Sequence, residues 1–134
     1  TFKLGATGTI PDPNLVMAPR TPKADRFGDA EMIQLGFEQY HFNCRVCHGA
    51  LAISSGVLPD LRWSSISASA EAWQAIVRGG ALADNGMVAF ADVLSPADAE
   101  AVRAYVIKQA HDGAALEAEV AALMAAQAAE AVNP

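Results

Sequence analysis

The feature that most constrains this chain is a short run of two cysteines and a histidine, Cys44-Arg45-Val46-Cys47-His48. Two thiols three positions apart on a helical turn can reach two vinyl groups along one edge of a porphyrin. The imidazole of the next residue then lies beneath the iron. Because C-x-x-C-H is the attachment motif of haem c, the run predicts one covalently bound haem held by Cys44 and Cys47, with His48 as the proximal iron ligand.

Two other uses of a C-x-x-C pair compete with haem attachment. A thioredoxin-like redox pair should follow a strand in a βαβ pattern, whereas a helical pattern precedes this pair. The chain has only two cysteines, so a zinc site would need two histidines such as His41 and His111, whose spacing fits no common zinc finger. Haem attachment is the favoured interpretation, with the zinc and thiol-redox sites as alternatives.

Length and charge exclude several other classes of protein. With 134 residues, 52% of them hydrophobic, the chain is predicted to form one domain with one core. A net charge of −6 disfavours binding to nucleic acid. No stretch approaches the roughly 18 apolar residues of a membrane span. Residues 1–8 lack the charged start and apolar core of a signal peptide, so we expect a mature or excised piece.

The segment before the motif has the period of an amphipathic helix. Ile33, Gly36, Phe37 and Tyr40 recur at positions i, i+3, i+4 and i+7. An aspartate suited to the N-cap stands at position 29. The pattern predicts a helix over residues 29–43 that leads directly into the cysteines.

Two more helices are predicted after the motif, separated from it and from each other by loops. Ser69 is the predicted N-cap of one helix, which stops at the glycine pair 79–80. Ser95 and Asp98 flank a proline and form a capping box for the other, which should end near residues 111–113. The residues expected to face inward are Trp73, Ile76, Val77, Val102, Tyr105 and Val106.

The two ends of the chain differ in composition from its middle. Residues 1–27 hold four of the seven prolines and have little periodicity, which predicts an extended arm or interdomain linker. Alanine dominates residues 113–134 and predicts an extra C-terminal helix; a frayed tail is the alternative. Its sparse apolar stripe would pack on the chain's own surface or on a partner, and consists of Leu116, Val120, Leu123 and Met124. The predicted domain lies between these ends, at residues 28–112.

An iron that only passes electrons needs a sixth ligand. A closed coordination shell changes valence with little rearrangement, and methionine opposite histidine raises the reduction potential. The other methionines lie in the arm, the first helix and the tail, and are Met17, Met32 and Met124. Met87 follows the turn-like residues 84–86 and is the predicted ligand, with a gap-filling role in the core as the alternative.

Several other residues could serve either structure or the cofactor. His41 and His111 are predicted to have surface or helix-dipole roles rather than to bind iron. Trp63 and Trp73 are expected in the core or at the haem edge. Arg62 is either a solvated surface charge or, through its forked donors, the partner of a haem propionate, with Trp63 beside it.

With these residues in view, the stretch from about residue 28 to 109 resembles class I cytochromes c. It has a first helix with a glycine and an aromatic, then C-x-x-C-H-G, a proline loop, a methionine loop and a final helix with an aromatic. The resemblance implies an all-α fold around one haem, with an extended N-terminal arm and an extra C-terminal helix here. It implies that the first and last helices cross at Gly36, at Phe37 or Tyr40, and at Tyr105.

The same resemblance assigns a role to the loop proline. In class I cytochromes c the carbonyl of that proline usually accepts a hydrogen bond from the proximal histidine, which fixes the tautomer and basicity of the ring. Here the proline is Pro59 and the histidine is His48. One departure concerns Val88, which stands where many members have a proline directly after the ligand methionine.

Three segments, 56–62, 76–82 and 86–90, look like the C-terminal haem domain of quinohaemoprotein (type II, PQQ-dependent) alcohol dehydrogenases. In those enzymes a β-propeller domain oxidises the alcohol with pyrroloquinoline quinone, and single electrons leave through the haem. The resemblance implies a PQQ dehydrogenase domain as electron donor, residues 1–27 as the linker to it, and an external acceptor such as a cytochrome, a copper protein or an oxidase. It also implies a periplasmic location, where bacteria attach c-type haem.

Nothing in the sequence resembles a propeller, a quinone site or a catalytic carboxylate, so no catalytic site is predicted in this chain. The alanine-rich segment has no counterpart in the family. Two alternatives to a dehydrogenase domain remain. One is a free-standing soluble monohaem shuttle, and the other is a ligand-binding or catalytic haem protein with an open sixth position.

Overall fold

The structure is a computed structural model and describes residues 18–132. Its α-helices are α1 (Ala30–Asn43), α2 (Arg45–His48), α3 (Ala70–Val77) and α4 (Pro96–Val132). Short 3-10 turns lie at Ala50–Ala52, Leu61–Trp63, Ser65–Ala68 and Ala83–Asn85. No β-strand occurs in this range, which confirms the predicted all-α class.

Local hydrogen bonds fix where the three longer helices begin. The side chain of Asp29 caps α1 by accepting a 2.8 Å hydrogen bond from the backbone N–H three residues later. Ser69 caps α3 in the same way, at 3.1 Å. Ser95 and Asp98 form the predicted capping box, in which each side chain accepts from the other's backbone N–H at 3.1 Å. All three predicted starts are confirmed.

The predicted end of the last helix is wrong. α4 continues through Gly113 to Val132, and Gly113 does not have the positive φ of a C-cap glycine. A Cβ at this position would lie 2.8 Å from Nη1 of Arg62 and 3.4 Å from the ring of Trp63. Gly113 therefore allows a close approach to the 61–63 turn, and the alanines that follow carry the helix onward because their helix propensity is high.

The role predicted for His111 changes with the length of α4. The residue lies inside a continuous helix rather than at its end, so the helix-dipole role is wrong. Its Nε2 is 2.8 Å from the carbonyl oxygen of Ala24 and donates to it. His111 thus ties the segment before α1 to α4.

Residues 20–27 lie along α4 without regular secondary structure. Arg26 forms an ion pair with Asp112 at 2.6 Å, and the guanidinium of Arg103 lies 4.4 Å above the ring of Phe27. Residues 1–17 of the predicted arm, with Met17, lie outside the described residues. The interpretation of the arm as a linker therefore stays a prediction.

Arg20–Ala114 forms one compact unit, in which α1 and α4 cross. A Cβ on Gly36 would lie only 2.0 Å from the carbonyl oxygen of Ala101 and 2.8 Å from Cβ of Tyr105. The rings of Phe37 and Tyr40 lie 5.7 Å and 5.5 Å from that of Tyr105, which confirms the predicted crossing. The buried core of this unit consists of Tyr40, Ala52, Trp73, Val77, Leu94, Ala99, Val102, Tyr105 and Val106.

Replacing Gly36 with alanine tests this crossing. Alanine would normally stabilise a helix interior by about 1 kcal/mol over glycine. Here the methyl group would collide with backbone of α4, so we expect a net loss of about 1–3 kcal/mol in the free energy of unfolding, as for overpacked cores. Urea unfolding followed by far-ultraviolet circular dichroism measures it. Gln34→Ala on an exposed part of α1 is the control, and an unchanged Gly36→Ala midpoint would contradict the close packing.

The alanine-rich end of α4 belongs to a second unit, of which the structure describes residues 115–132 as helix. The frayed-tail alternative is therefore wrong for these residues. The predicted stripe is exposed at all of its positions, which are Leu116, Val120, Leu123 and Met124. No helix between residues 18 and 132 is both long enough and apolar enough to cross a membrane. The domain boundaries predicted at residues 27–28 and 112–113 stay predictions.

Candidate functional site

The cysteine and histidine motif continues directly from α1. The backbone N–H of Cys44 bonds the carbonyl of Tyr40 at 2.7 Å, which closes α1. The N–H of His48 then bonds the carbonyl of Cys44 at 2.9 Å within α2, a single helical turn. Cys44, Cys47 and His48 are therefore presented on one turn, as the spacing predicted.

A cavity of about 200 Å³ lies next to this turn. Its lining is mostly apolar and consists of Cys44, His48, Pro59, Leu61, Ser64, Ile66, Trp73, Ile76, Val77, Leu82, Met87 and Val102. The structure thus brings together four of the predicted site residues, which are Cys44, His48, Pro59 and Met87. Three others do not line the cavity: Cys47, Arg62 and Trp63.

His48 lies in the cavity wall with a ring suited to binding a metal. Burial lowers the pKa of its imidazole, which favours the neutral form that can donate a lone pair to iron. Its Nδ1 is buried and has no hydrogen-bond partner among residues 18–132. Pro59 lines the same cavity, but the hydrogen bond predicted between its carbonyl and His48 stays a prediction.

The two cysteines differ in their surroundings. Cys44 is partly buried in the cavity wall, and burial, followed by the nearby charge of Cys47, raises the pKa of its thiol to about 12. Cys47 is exposed on the same turn. Cys44, held protonated in this way, is a poor nucleophile for thiol–disulfide exchange.

Met87 reaches the cavity from a tight turn. The turn at Ala83–Asn85 ends at Gly86, whose φ of +97° is left-handed. The N–H of Met87 then bonds the carbonyl of Leu82 at 3.2 Å. Met87 is half-buried and packs against the core, whereas Val88 after it is exposed.

Arg62 and Trp63 lie together on the 3-10 turn Leu61–Trp63, beside the cavity lining rather than in it. Nε and Nη2 of Arg62 donate to the two carboxylate oxygens of Asp60 at 3.0 Å and 2.8 Å. Burial alone would raise the pKa of Asp60, but the hydrogen bonds from Arg62 and from backbone N–H groups lower it. The fork of Arg62 is thus engaged, whereas the buried Nε1 of Trp63 has no hydrogen-bond partner among the described residues.

Sequence reasoning missed part of the cavity wall. Leu61 and Ile66 line it from 3-10 turns, which have no apolar period that a sequence pattern could detect. Trp73 was expected either in the core or at the haem edge; the structure places it in the core, and the haem-edge role stays a prediction. It is buried and lines the cavity, while its Nε1 donates to the carbonyl of Ala99 at 2.8 Å.

The zinc alternative is wrong. Between residues 18 and 132, no three side chains among histidine, cysteine, aspartate and glutamate come together in a way that could hold a metal ion. His41 and His111 each bond backbone groups elsewhere, to Leu51 and to Ala24.

Comparison with known proteins identifies the family. A family model described as "Cytochrome C oxidase, cbb3-type, subunit III" matches residues 31–106, which include α1 after its first residue, the C-x-x-C-H turn, the cavity lining and the start of α4. The chain belongs to the cytochrome c family. Members of this family bind haem c and transfer electrons, so both properties apply to this cytochrome c domain.

Individual relatives show which kinds of protein contain a similar cytochrome c domain. The quinohemoprotein alcohol dehydrogenase ADH-IIG of Pseudomonas putida is 38% identical over 113 residues, which are 84% of this chain and 15% of the relative. A solved structure of the same enzyme superposes with a TM-score of 0.62 and 38% identity, over 70% of this chain and 14% of that one. The resemblance to the haem domain of such dehydrogenases is confirmed, and the chain spans about one seventh of their length.

A smaller relative is similar as well. Cytochrome c550 of Pseudomonas aeruginosa is 35% identical over 77 residues, which cover 55% of this chain and 53% of that protein. The cytochrome c domain is therefore similar both to a part of a large dehydrogenase and to a small cytochrome.

The residues of the site fit a haem. The cavity is apolar, as a porphyrin face requires, and it holds an imidazole whose burial favours the neutral form. One thiol and one thioether line the same space. The buried Nε1 of Trp63 adds a hydrogen-bond donor without a partner in the described part of the chain.

Proposed function

We propose that this domain carries single electrons through one haem c, bound covalently by Cys44 and Cys47, with His48 and Met87 as the axial ligands. The observation that carries the proposal is that one apolar cavity is lined by Cys44, His48 and Met87 together. When bound, a haem supplies one-electron exchange at its iron. No catalytic residue is assigned to this chain.

Each residue of the site would contribute a separate property. The two thiols would fix the position of the porphyrin edge, and the neutral imidazole of His48 would bind the iron from one side. The thioether of Met87 would close the other side and, with the apolar wall, would favour the reduced state and so raise the reduction potential.

We propose that the propionates lie toward the 61–63 turn. Trp63 Nε1 supports this position because it is a buried donor without a described partner. Arg62 would contribute mainly by its positive charge, since its fork is bound to Asp60. Pro59 would accept a hydrogen bond from Nδ1 of His48 and hold its tautomer, because that nitrogen is buried without a partner in the described residues.

Covalent attachment can be measured directly. The purified reduced protein is expected to give the sharp α band of a c-type haem, and acid acetone should extract no haem from it. In the double variant Cys44→Ala/Cys47→Ala, any haem that remains should be extractable, because no thioether links can form. Extraction of the haem from the unsubstituted protein would overturn covalent attachment.

We propose a PQQ-dependent alcohol dehydrogenase domain as the electron donor and an external cytochrome, copper protein or oxidase as the acceptor. The similarity to the quinohemoprotein alcohol dehydrogenase of Pseudomonas putida, over 84% of this chain, supports this donor. In this proposal the domain works in the periplasm and residues 1–27 are the link to the dehydrogenase.

A free-standing electron shuttle is the second candidate, since cytochrome c550 of Pseudomonas aeruginosa matches over half of its own length. The coding sequence upstream of Thr1 separates the two candidates. A long upstream region that encodes a propeller would support the dehydrogenase domain, whereas a signal peptide alone would support the shuttle.

A further inference from the structure

The turn at residues 49–53, which follows His48, has a strained backbone and is bonded by side chains of other elements. Leu51 and Ala52 both have left-handed backbones, with φ of +58° and +60°, although neither is a glycine. Such a conformation persists only where the surroundings enforce it. Ala52 is fully buried in the core, so the turn cannot relax outward without losing that contact.

Three side chains from the crossing helices α1 and α4 bond the backbone of this turn. Tyr40 donates from its hydroxyl to the carbonyl of Gly49 at 2.6 Å. His41 accepts at Nε2 from the N–H of Leu51 at 3.1 Å, and Gln109 donates from Nε2 to the carbonyl of the same residue at 3.0 Å. Both backbone groups of Leu51 are thus bound by side chains.

The hydrogen bonds of His41 define its tautomer. Nδ1 lies 2.8 Å from the carbonyl oxygen of Phe37, which can only accept, so Nδ1 carries the proton. In the neutral ring Nε2 is then the acceptor that the N–H of Leu51 requires. A protonated ring would place an N–H against another N–H, so the contact exists only with neutral His41.

The backbone of His48 leads directly into this turn. Nδ1 of His48 has no hydrogen-bond partner within residues 18–132, so apart from the bond proposed to Pro59 the ring is positioned through its backbone. The backbone immediately after it, at Gly49, bends back on Ile53 in the turn that carries Leu51. A change in the turn therefore moves the backbone that positions the imidazole.

We propose that His41 and Gln109 are positioning residues that clamp the strained turn at Leu51 and thereby hold the haem ligand His48, and that protonation of His41 releases its half of the clamp. The inference rests on the proposed function of this site. It assigns a positioning role to two residues that do not line the cavity, His41 and Gln109. It also predicts that the reduction equilibrium of the iron changes in mildly acidic solution.

The groups that face His41 are neutral or paired with other residues. The rings in contact with it from α1 and α4 include the phenols of Tyr40 and Tyr105, whose pKa values are raised by burial, so both stay neutral. Residues 49–53 carry no charged side chain. Near Gln109 on α4, Lys108 is paired with Asp112. Glu38 on α1 accepts from the side chain of Gln34.

The test measures the reduction potential and the far-red methionine–iron band of the ferric holoprotein from about pH 5 to pH 8, the range in which histidines titrate. The unsubstituted protein should show a step in the equilibrium constant for reduction of about threefold to tenfold, which is the weight of one net hydrogen bond. His41→Gln keeps an acceptor but cannot take up a proton, so the step should disappear while the neutral-pH value is retained. His41→Leu should show no step and should differ from the unsubstituted protein at neutral pH, because leucine cannot accept from the N–H of Leu51.

Two further variants make the outcome decisive. Gln109→Leu removes the second half of the clamp and should change the equilibrium constant at every pH. His111→Gln removes the other histidine that is not an iron ligand and should leave the step in place. If His41→Gln retains the whole step, the titration belongs to another group, such as a propionate, and the clamp is overturned. If Gln109→Leu and His41→Leu both leave the neutral-pH value unchanged, the positioning role is overturned, although haem attachment itself would stand.

Discussion

Met87→Ala is expected to open the sixth position of the iron. The ferric protein should lose the weak far-red methionine–iron band, and the ferrous protein should bind carbon monoxide. The reduction potential should fall by a substantial fraction of the roughly 0.8 V that axial ligands span, because a water molecule or an empty site stabilises the ferrous iron less than a thioether does. Absorbance spectra and a redox titration measure the three effects.

Met32→Ala is the matched control, since this methionine lies on α1 and does not line the cavity. It should keep the far-red band and exclude carbon monoxide. The same spectrum in Met87→Ala as in the unsubstituted protein would move the ligand elsewhere, and Met17, outside the described residues, would be tested next. Carbon monoxide binding by the unsubstituted protein would favour the ligand-binding haem alternative.

The starts of the helices could be predicted because their signals are local. Asp29, Ser69 and Ser95 accept from backbone groups within one turn of their own position, so the residues that decide each start lie next to it. The end of α4 could not be predicted in this way. Gly113 resembles a C-cap glycine in sequence. A glycine is needed there because Arg62 and Trp63, about fifty positions away in the chain, pack closely against it.

The residues of the candidate site that belong to a local sequence motif could be predicted. Cys44 and His48 follow from C-x-x-C-H, and Met87 followed from its turn-like setting; all three line one cavity. Leu61 and Ile66 escaped detection because 3-10 turns bury residues without a period. The surface role predicted for His41 missed its bond to Leu51, since no sequence signal marks a left-handed residue that is not a glycine.

Among alanine substitutions of the loop glycines, Gly49→Ala is expected to disrupt the structure most, because it affects the turn at residues 49–53 directly after His48. Gly49 has φ of +89° and ψ of 153°, a region that is essentially restricted to glycine. A Cβ there would lie 2.0 Å from the carbonyl oxygen of Ile53 and 3.0 Å from its carbonyl carbon. Both neighbours are backbone atoms, so no side-chain rotation can relieve the overlap, and the 49–53 turn must open.

The expected cost is about 3 kcal/mol or more in the free energy of unfolding, because backbone strain and overlap add. Opening the turn would also displace His48, so the haem content per protein and the far-red band should both fall. Gly56→Ala is the matched control. Its φ of +97° is nearly the same, but no atom lies within 4 Å of the added methyl group, so it should lose only about 1–2 kcal/mol and keep its haem.

Guanidinium unfolding of the two holoproteins and the haem-to-protein ratio separate strain from collision. Equal losses in Gly49→Ala and Gly56→Ala would mean that the contact with Ile53 contributes nothing. A larger loss in Gly49→Ala with a normal haem content would mean that the turn supports the fold without positioning His48. The helices α1 and α4 bond this turn through Tyr40 and Gln109. If the turn positions His48 relative to these helices, Gly49→Ala should therefore lose both stability and haem.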